Sequence, residues 1–268
     1  ARAQLSLVQR PAAVHASLIN ELHRAPQLRP LRVLELCSGP HASFSSTVRD
    51  QFPNAYTVTL DINDSFAPTI VSDITTWNYS KHFAKGFFDI IWASPPCDQY
   101  SAAKTTGAER NLEYADSVAS AVLKVLDTAK PAVWFIENPR GYLQHRDFMQ
   151  PLSALKNECS YCMYGTDYRK VTDIWSNVTC NLRCCSAATP CANAAKYGRH
   201  PRVAQTGPSQ QGQPGIPSSE ANHVPGLLTQ HLLAQASIEL MKQSYDGVSF
   251  FEKGQAGTVM EDSFEDSD

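Results

Sequence analysis

Two short stretches carry residues able to do chemistry. Ser94-Pro95-Pro96-Cys97 sets a thiol behind two prolines and ahead of the polar Asp98, Gln99 and Ser101, and forty residues later Trp134-Phe135-Ile136-Glu137-Asn138-Pro139 sets a carboxyl at the end of an apolar run. An arbitrary free cysteine is most often a small buried hydrophobe. Rigid prolines on one side and polar residues on the other instead present Cys97 as a nucleophile, which acts as its thiolate. A lone glutamate is usually solvated, whereas Glu137, after five apolar residues and before Asn-Pro, is partly enclosed and suited to hold or deliver a proton.

The elements that must position these groups can be read from the apolar pattern. Residues 88–93, broken only by Asp89, suit a strand buried on both faces of a parallel sheet. Proline ends it, because it supplies no ladder donor and fixes its own φ, so Cys97 stands at the carboxyl end of a central strand, where open α/β sheets put their ligands. Residues 31–37 read as the first strand. A turn over 38–43 leads from it into a helix over 44–52, and Gly39 there allows close approach of a ligand to the backbone. Residues 55–61 form a second strand; Asp61 lies 22 residues after Gly39, near the spacing of an acidic acceptor for ribose hydroxyls, the alternative being a solvated strand end. Residues 69–74 form a third strand and 132–136 a further one. Leu112, Ala115, Val118, Ala119, Val122, Val125 and Leu126 mark a helix with one buried face, and Leu227, His231, Ala234, Ile238 and Met241 mark another. Residues 158–165 and 171–177 read as two strands joined by a charged turn. The fold class expected is α/β, a Rossmann-like sheet with a small loop-rich insertion.

Ser94-Pro95-Pro96-Cys97 and Trp134-Phe135-Ile136-Glu137-Asn138-Pro139, in that order, resemble the two catalytic signatures of the DNA cytosine-5 methyltransferases. Tyr168-Arg169-Lys170 before Thr172-Asp173-Ile174-Trp175 resembles the arginine-bearing motif of that family, most closely its compact bacteriophage-type members, and Asn222-His223-Val224-Pro225-Gly226 resembles its final motif. Cys37 stands where the family usually has an aromatic residue and His41 where it has a second glycine. The resemblance implies a Rossmann-like S-adenosylmethionine-dependent fold, double-stranded DNA as partner and transfer of a methyl group to carbon 5 of cytosine through a covalent cysteine adduct. It implies Cys97 as nucleophile, Glu137 at ring nitrogen 3, and Arg169 or Lys170 holding base and glutamate. The cofactor would be held by Cys37, Gly39, Asp61, Ile62, Asp73, Ile74, Ser94 and Pro95, and the loop carrying Lys104, Gly107 and Arg110 would close over the substrate.

Composition narrows the classes. A chain of 268 residues, 43% hydrophobic and 18% charged, buries a core of its own, and no apolar run approaches the length of a membrane span. The net charge of −3 argues against a protein coated in nucleic acid; six acidic residues against one basic from Glu252 onward leave 22 basic and 20 acidic elsewhere, room for a local basic groove. The expected division is an N-terminal helical arm (1–30, with a helix near 12–22), a catalytic core (31–158), a target-recognition insertion (159–215), a C-terminal helix (216–245) and an acidic disordered tail (246–268). A monomer, cytoplasmic or nuclear and not secreted, is expected. Six of the eight cysteines fall between 159 and 191, which favours reduced thiols or metal over disulfides. One structural zinc on Cys162, Cys184, Cys191 and His200 is the metal reading; Cys159 and Cys162, three apart on an expected strand, point to opposite faces, so only one of them takes part; unpaired thiols are the alternative. An RNA methyltransferase, a catalytically silent nucleic-acid-binding homologue and a zinc-stabilised interaction module are the competing functions. Intact Cys97 and Glu137 oppose the second, and the third leaves the first 150 residues without a role.

Overall fold

The computed structural model describes residues 29–101 and 109–254. The helix expected near 12–22, Lys104 and Gly107 of the expected closing loop, and the chain after 254 lie outside the described residues.

The apolar runs become strands β1 (Arg32–Leu36), β2 (Tyr56–Asp61), β3 (Ile70–Val71), β4 (Ile90–Ala93) and β5 (Val133–Pro139), followed by β6 (Lys156–Ser160), β7 (Tyr168–Arg169), β8 (Val171–Ser176) and β9 (Arg202–Val203). Among the described residues, seven strands make one sheet in the order β3-β2-β1-β4-β5-β8-β6, and β7 pairs with β9 apart from it. The first five run parallel; β8 is antiparallel to both β5 and β6. This is the Rossmann-like α/β arrangement expected, with an antiparallel strand wedged in near one edge.

The helices are α1 (Ser43–Gln51), α2 (Leu112–Ala129), α3 (Ala192–Tyr197), α4 (Ser218–Ala221) and α5 (Gly226–Gly254). Alternation along β1 assigns the layers: Leu34 and Leu36 meet Val118, Val122 and Val125 of α2, while Val33 on the other face joins Phe44 and Val48 of α1 with Leu228, Leu232 and Leu233 of α5. Asn111 starts α2 by accepting the Tyr114 amide at 3.1 Å, and Lys130 ends it in the left-handed conformation. Helix α1 has no side-chain cap of its own. Glu35 of β1 supplies the acceptor, taking the amides of Ser45 (2.7 Å) and Phe44 (3.4 Å). Burial pushes its carboxyl up to about 6, against the pull of those bonds.

Four expectations are corrected. The strand expected over 158–165 ends at Ser160, whose partner Val171 is the last residue β8 offers, and the chain turns into a 3-10 helix, Tyr161–Tyr164. Because β6 and β8 complete the main sheet, the segment outside it begins after Ser176 rather than at 159, and α5 runs past the boundary expected at 245. The buried side of α5 holds Leu228, Leu232, Leu233 and Ala236 beside the expected Ala234, and Leu227 is exposed.

Candidate active site

Strand register gathers the expected residues. Leu60, Leu36, Ala93 and Ile136 are partners across β2, β1, β4 and β5. The next residue on each strand is therefore Asp61, Cys37, Ser94 or Glu137, a single row along the carboxyl edge. It spans three strand spacings, about 14 Å, across the point where strand order reverses between β1 and β4, where such sheets bind ligands.

At the β2 end, Asp61 takes the Gly39 amide on one carboxylate oxygen (2.8 Å) and the Asn63 amide on the other (2.9 Å), which locks the turn after β1 to the end of β2. Cys37 and Gly39 both adopt positive φ, 53° and 60°. A side chain at Gly39 would meet no atom within 4 Å but would strain the backbone there, so the turn faces open space. Burial first, then the neighbouring charges of Asp61 and Asp73, push the Cys37 thiol up to about 12; it remains neutral. Asp73 caps its own turn through the Thr75 amide and hydroxyl, both at 2.8 Å. Ile74 is buried, whereas Ile62 is 58% exposed beside Asp61 and offers an apolar surface. His41 does not crowd this turn: its ring meets the Ser219 carbonyl at 3.0 Å and the His223 ring edge-on.

At the β4–β5 end, the two signature stretches are tied directly. Asn138, fully buried, donates its amide nitrogen to the Pro95 carbonyl at 2.9 Å, and its Oδ1 has no hydrogen-bond partner. Ser94 Oγ accepts from the Trp92 indole (2.8 Å), and the Ser94 amide continues the ladder to the Leu36 carbonyl. Past Cys97, whose carbonyl accepts the Tyr100 and Ser101 amides, the loop is anchored by Tyr100, which is buried and donates to Asp116 at 2.8 Å. Arg110, expected on a loop that closes over the substrate, donates to the Gln99 and Ser101 carbonyls of this same loop.

Cys97 is half-buried. Burial pushes its thiol above the usual range, the Lys170 ammonium works against that, and the charges of Glu137 and Asp98 add to it. Glu137, 5% exposed, accepts the Tyr161 hydroxyl at 2.9 Å. Lys170 lies over the Tyr161 ring, 4.9 Å from its centroid, and donates to the Ala221 carbonyl at 2.8 Å. The pair left open by the motif thus separates: Lys170 lies on the Tyr161 ring and its charge favours the Cys97 thiolate, while Arg169 lines a pocket with Cys185, Ser186, Arg199 and His200. Tyr161 was not among the expected residues. Lying between two cysteines, it had no periodicity to mark it.

A second cluster lies beside that pocket. Ligand atoms of Cys162, Cys185, Cys191 and His200 all fall within 4.8 Å of one another. Cys184, expected in this set, does not join it: its sulfur donates to the Glu158 carbonyl at 3.0 Å. Successive residues of extended chain point to opposite sides, so Cys185 takes the inward place. Cys159 is buried on β6 in the sheet core, whereas Cys162 lies past the end of that strand and reaches the cluster from the 3-10 turn, not from the opposite face of a shared strand.

The model of the C-5 cytosine-specific DNA methylase family matches residues 43–169, a span containing both signature stretches. A probable DNA (cytosine-5)-methyltransferase of Frog virus 3 is 24% identical over 218 residues, covering 76% of this chain and 99% of the viral protein. A putative DNA modification methyltransferase encoded within an E. coli prophage superposes with a TM-score of 0.40 at 14% identity, over 55% of this chain and 46% of that one. The matched span, the ordered signatures and their junction at the Asn138–Pro95 bond lead to one conclusion: residues 43–169 are similar to the C-5 cytosine-specific DNA methylases, and both signature stretches lie within that span.

Proposed function

We propose that the protein transfers a methyl group from S-adenosylmethionine to carbon 5 of a flipped-out cytosine in double-stranded DNA, through a covalent bond from Cys97 to carbon 6. The observation that carries the reading is the joining of the two signature stretches through the Asn138–Pro95 bond, with Glu137 and Lys170 both set against Tyr161.

Carbon 5 of cytosine is too weak a nucleophile to be methylated directly, so the ring must first gain electron density. The Cys97 thiolate forms the bond to carbon 6, and the displaced electrons move toward carbon 5 and the N3 side of the ring. Glu137, held by the Tyr161 hydroxyl, stabilises that charge by hydrogen bonding or proton delivery at N3. Lys170 lowers the cost of forming the thiolate in a half-buried site. When bound, S-adenosylmethionine supplies an electrophilic methyl group to the activated carbon. Loss of the carbon 5 proton and expulsion of the Cys97 thiolate then restore the ring and free the enzyme. The residues fit that cofactor. The Gly39 turn opens onto free space, the Asp61 oxygens keep lone pairs for ribose hydroxyls, and exposed Ile62 offers an apolar face to the adenine. A cytosine inside a duplex cannot reach these groups, so the base leaves the stack at a cost of a few kcal/mol.

Incubation with radiolabelled S-adenosylmethionine and either duplex DNA or RNA, followed by digestion to nucleosides, tests the reading. Label in 5-methyldeoxycytidine is expected, together with a stable protein–DNA adduct on duplex carrying 5-fluorocytosine. Label confined to RNA, or to another base, would overturn it.

A further inference from the structure

We propose that Cys162, Cys185, Cys191 and His200 bind one zinc ion, which fastens the segment after β8 to the 3-10 turn after β6. Tetrahedral zinc, with bonds of about 2.3 Å to sulfur and 2.0–2.1 Å to nitrogen, sets ligand atoms about 3.5–3.8 Å apart. The His200 Nε2 atom lies 3.3 Å from the Cys191 sulfur and 3.6 Å from that of Cys185, and the widest separation in the set, within 4.8 Å, closes with a shift of about an ångström. Three thiolates and an imidazole are a soft donor set that suits zinc and disfavours magnesium or calcium. Backbone amides support the sulfurs: Cys191 donates to the Cys185 sulfur and Ala194 to the Cys191 sulfur, each at 3.4 Å. Such donors stabilise thiolates and orient ligands around a metal.

Val178, Cys180, Leu182, Ala204 and Ile216 tie other parts of the segment to the main core, but packing is thin around the cluster itself. The apolar centre beside the cluster consists of Cys162, Cys185 and Cys191, with only Met163 and Ala194 packed against them. No leucine, isoleucine, valine or aromatic side chain takes part. Between Asn177 and His200 the sole regular element is α3, six residues long. A bound ion supplies from ligation what burial does not, which is how small metal-bound modules fold. A disulfide would use two of the three thiols and leave one buried beside a histidine. The zinc uses all four groups and also fixes Arg169 and Arg199, which line the adjoining pocket, so on the DNA-methylating reading the ion sets the position of two cations available to phosphate.

The test measures metal first and activity second, so that failure here is separable from failure of the methylation reading. Full-length protein purified without chelator is expected to hold one zinc per chain by elemental analysis. Cobalt exchanged into it should give the intense visible absorption of a tetrahedral thiolate site, and removal of the ion should lower the melting temperature. Cys191→Ser and Cys185→Ser should each lose the metal, while Cys184→Ser, one residue away, should keep one zinc per chain. Should the two ligand variants fail to fold, the cobalt spectrum and chelator response of the wild type still decide. Metal-free wild type with three titratable thiols at these positions and a melt indifferent to chelator would overturn the proposal, as would zinc loss in Cys184→Ser with retention in Cys185→Ser.

Discussion

The parallel half of the sheet and the segment from Asn177 to Pro217 are held by different physics. In the first, Trp92 is fully buried and stacked on Phe44 with ring centroids 4.9 Å apart, and whole strands disappear into two apolar layers. In the second, a handful of apolar side chains, Val178, Cys180, Leu182, Ala204 and Ile216, reach the core, and single polar contacts do much of the remaining fastening. Arg202 bridges Asp167 and Glu220, His231 donates to the Cys180 carbonyl at 2.8 Å, and the thiol–histidine cluster joins the rest. Dense burial spreads its contribution over many residues and resists salt, whereas a few point contacts can open locally while the core stays folded. The proposed chemistry sits on the first kind of support, and the surface that chooses the target is expected to sit on the second.

The largest effect expected separates chemistry from folding in the dense half. Cys97→Ser should lower the single-turnover methylation rate by on the order of a thousandfold, because a serine hydroxyl is scarcely ionised. The melting temperature should hold, since Cys97 lies on a turn past the end of β4. Retention of a tenth of the activity would reassign the nucleophile.

Trp92→Ala should cost about 3–5 kcal/mol in urea unfolding, as one cooperative transition, because the cavity opens between β4 and α1. A selective loss of order after Ser176 would contradict the division drawn here.

Glu35 gives the dense half a pH signature. Its folded value, about 6, lies above the ordinary value of 4.5, so burial favours the neutral form. That contribution is complete below about pH 4.5 and is lost as pH rises through 6, about 2 kcal/mol in all. Comparing urea midpoints of wild type and Glu35→Gln from pH 4.5 to 7 should show the slope in wild type alone.

Lys170→Ala should slow methyl transfer about tenfold and move the rising limb of its pH profile to higher pH, since the thiol loses the one charge that favours ionisation. Arg169→Ala should change the rate by less than about twofold but weaken DNA binding, most clearly at low salt. Reversed results would exchange the two roles.

The smallest effect tests the sparse region. Arg202→Ala should cost only about 1 kcal/mol, because both carboxylate partners are partly exposed. It should nevertheless open the segment to proteolysis between 177 and 217 before global unfolding, an effect that high salt should imitate in wild type.

The two regions were unequally legible in sequence. Strands β1, β4 and β5 could be read because a parallel strand buried on both faces is written as a continuous apolar run, and the turns after them because proline and glycine end such runs. The row from Asp61 to Glu137 needed the register, which a sequence does not state. Beyond Glu158 the signals fail for identifiable reasons. The wedge of β8 between β5 and β6 is a long-range antiparallel pairing with no local mark. Cys184 and Cys185 cannot be told apart where no strand fixes which residue points inward. Tyr161 holds Glu137 from an irregular turn. On α5, Leu227 and Leu228 are interchangeable as letters, and only packing buries the second and leaves the first exposed.

The place of β8 also bears on how the protein is made. On the ribosome, β5 is complete at Pro139, but the strand that covers its free edge ends 37 residues later at Ser176. At about 5–20 residues per second that edge, carrying Val133, Phe135 and Ile136, waits roughly 2–7 s for its partner. Throughout that interval it is an unpaired apolar strand of the kind that recruits other chains. Slow translation between residues 140 and 176 would lengthen the hazard, so yield in a foreign host should depend on codon choice in this window more than elsewhere in the chain.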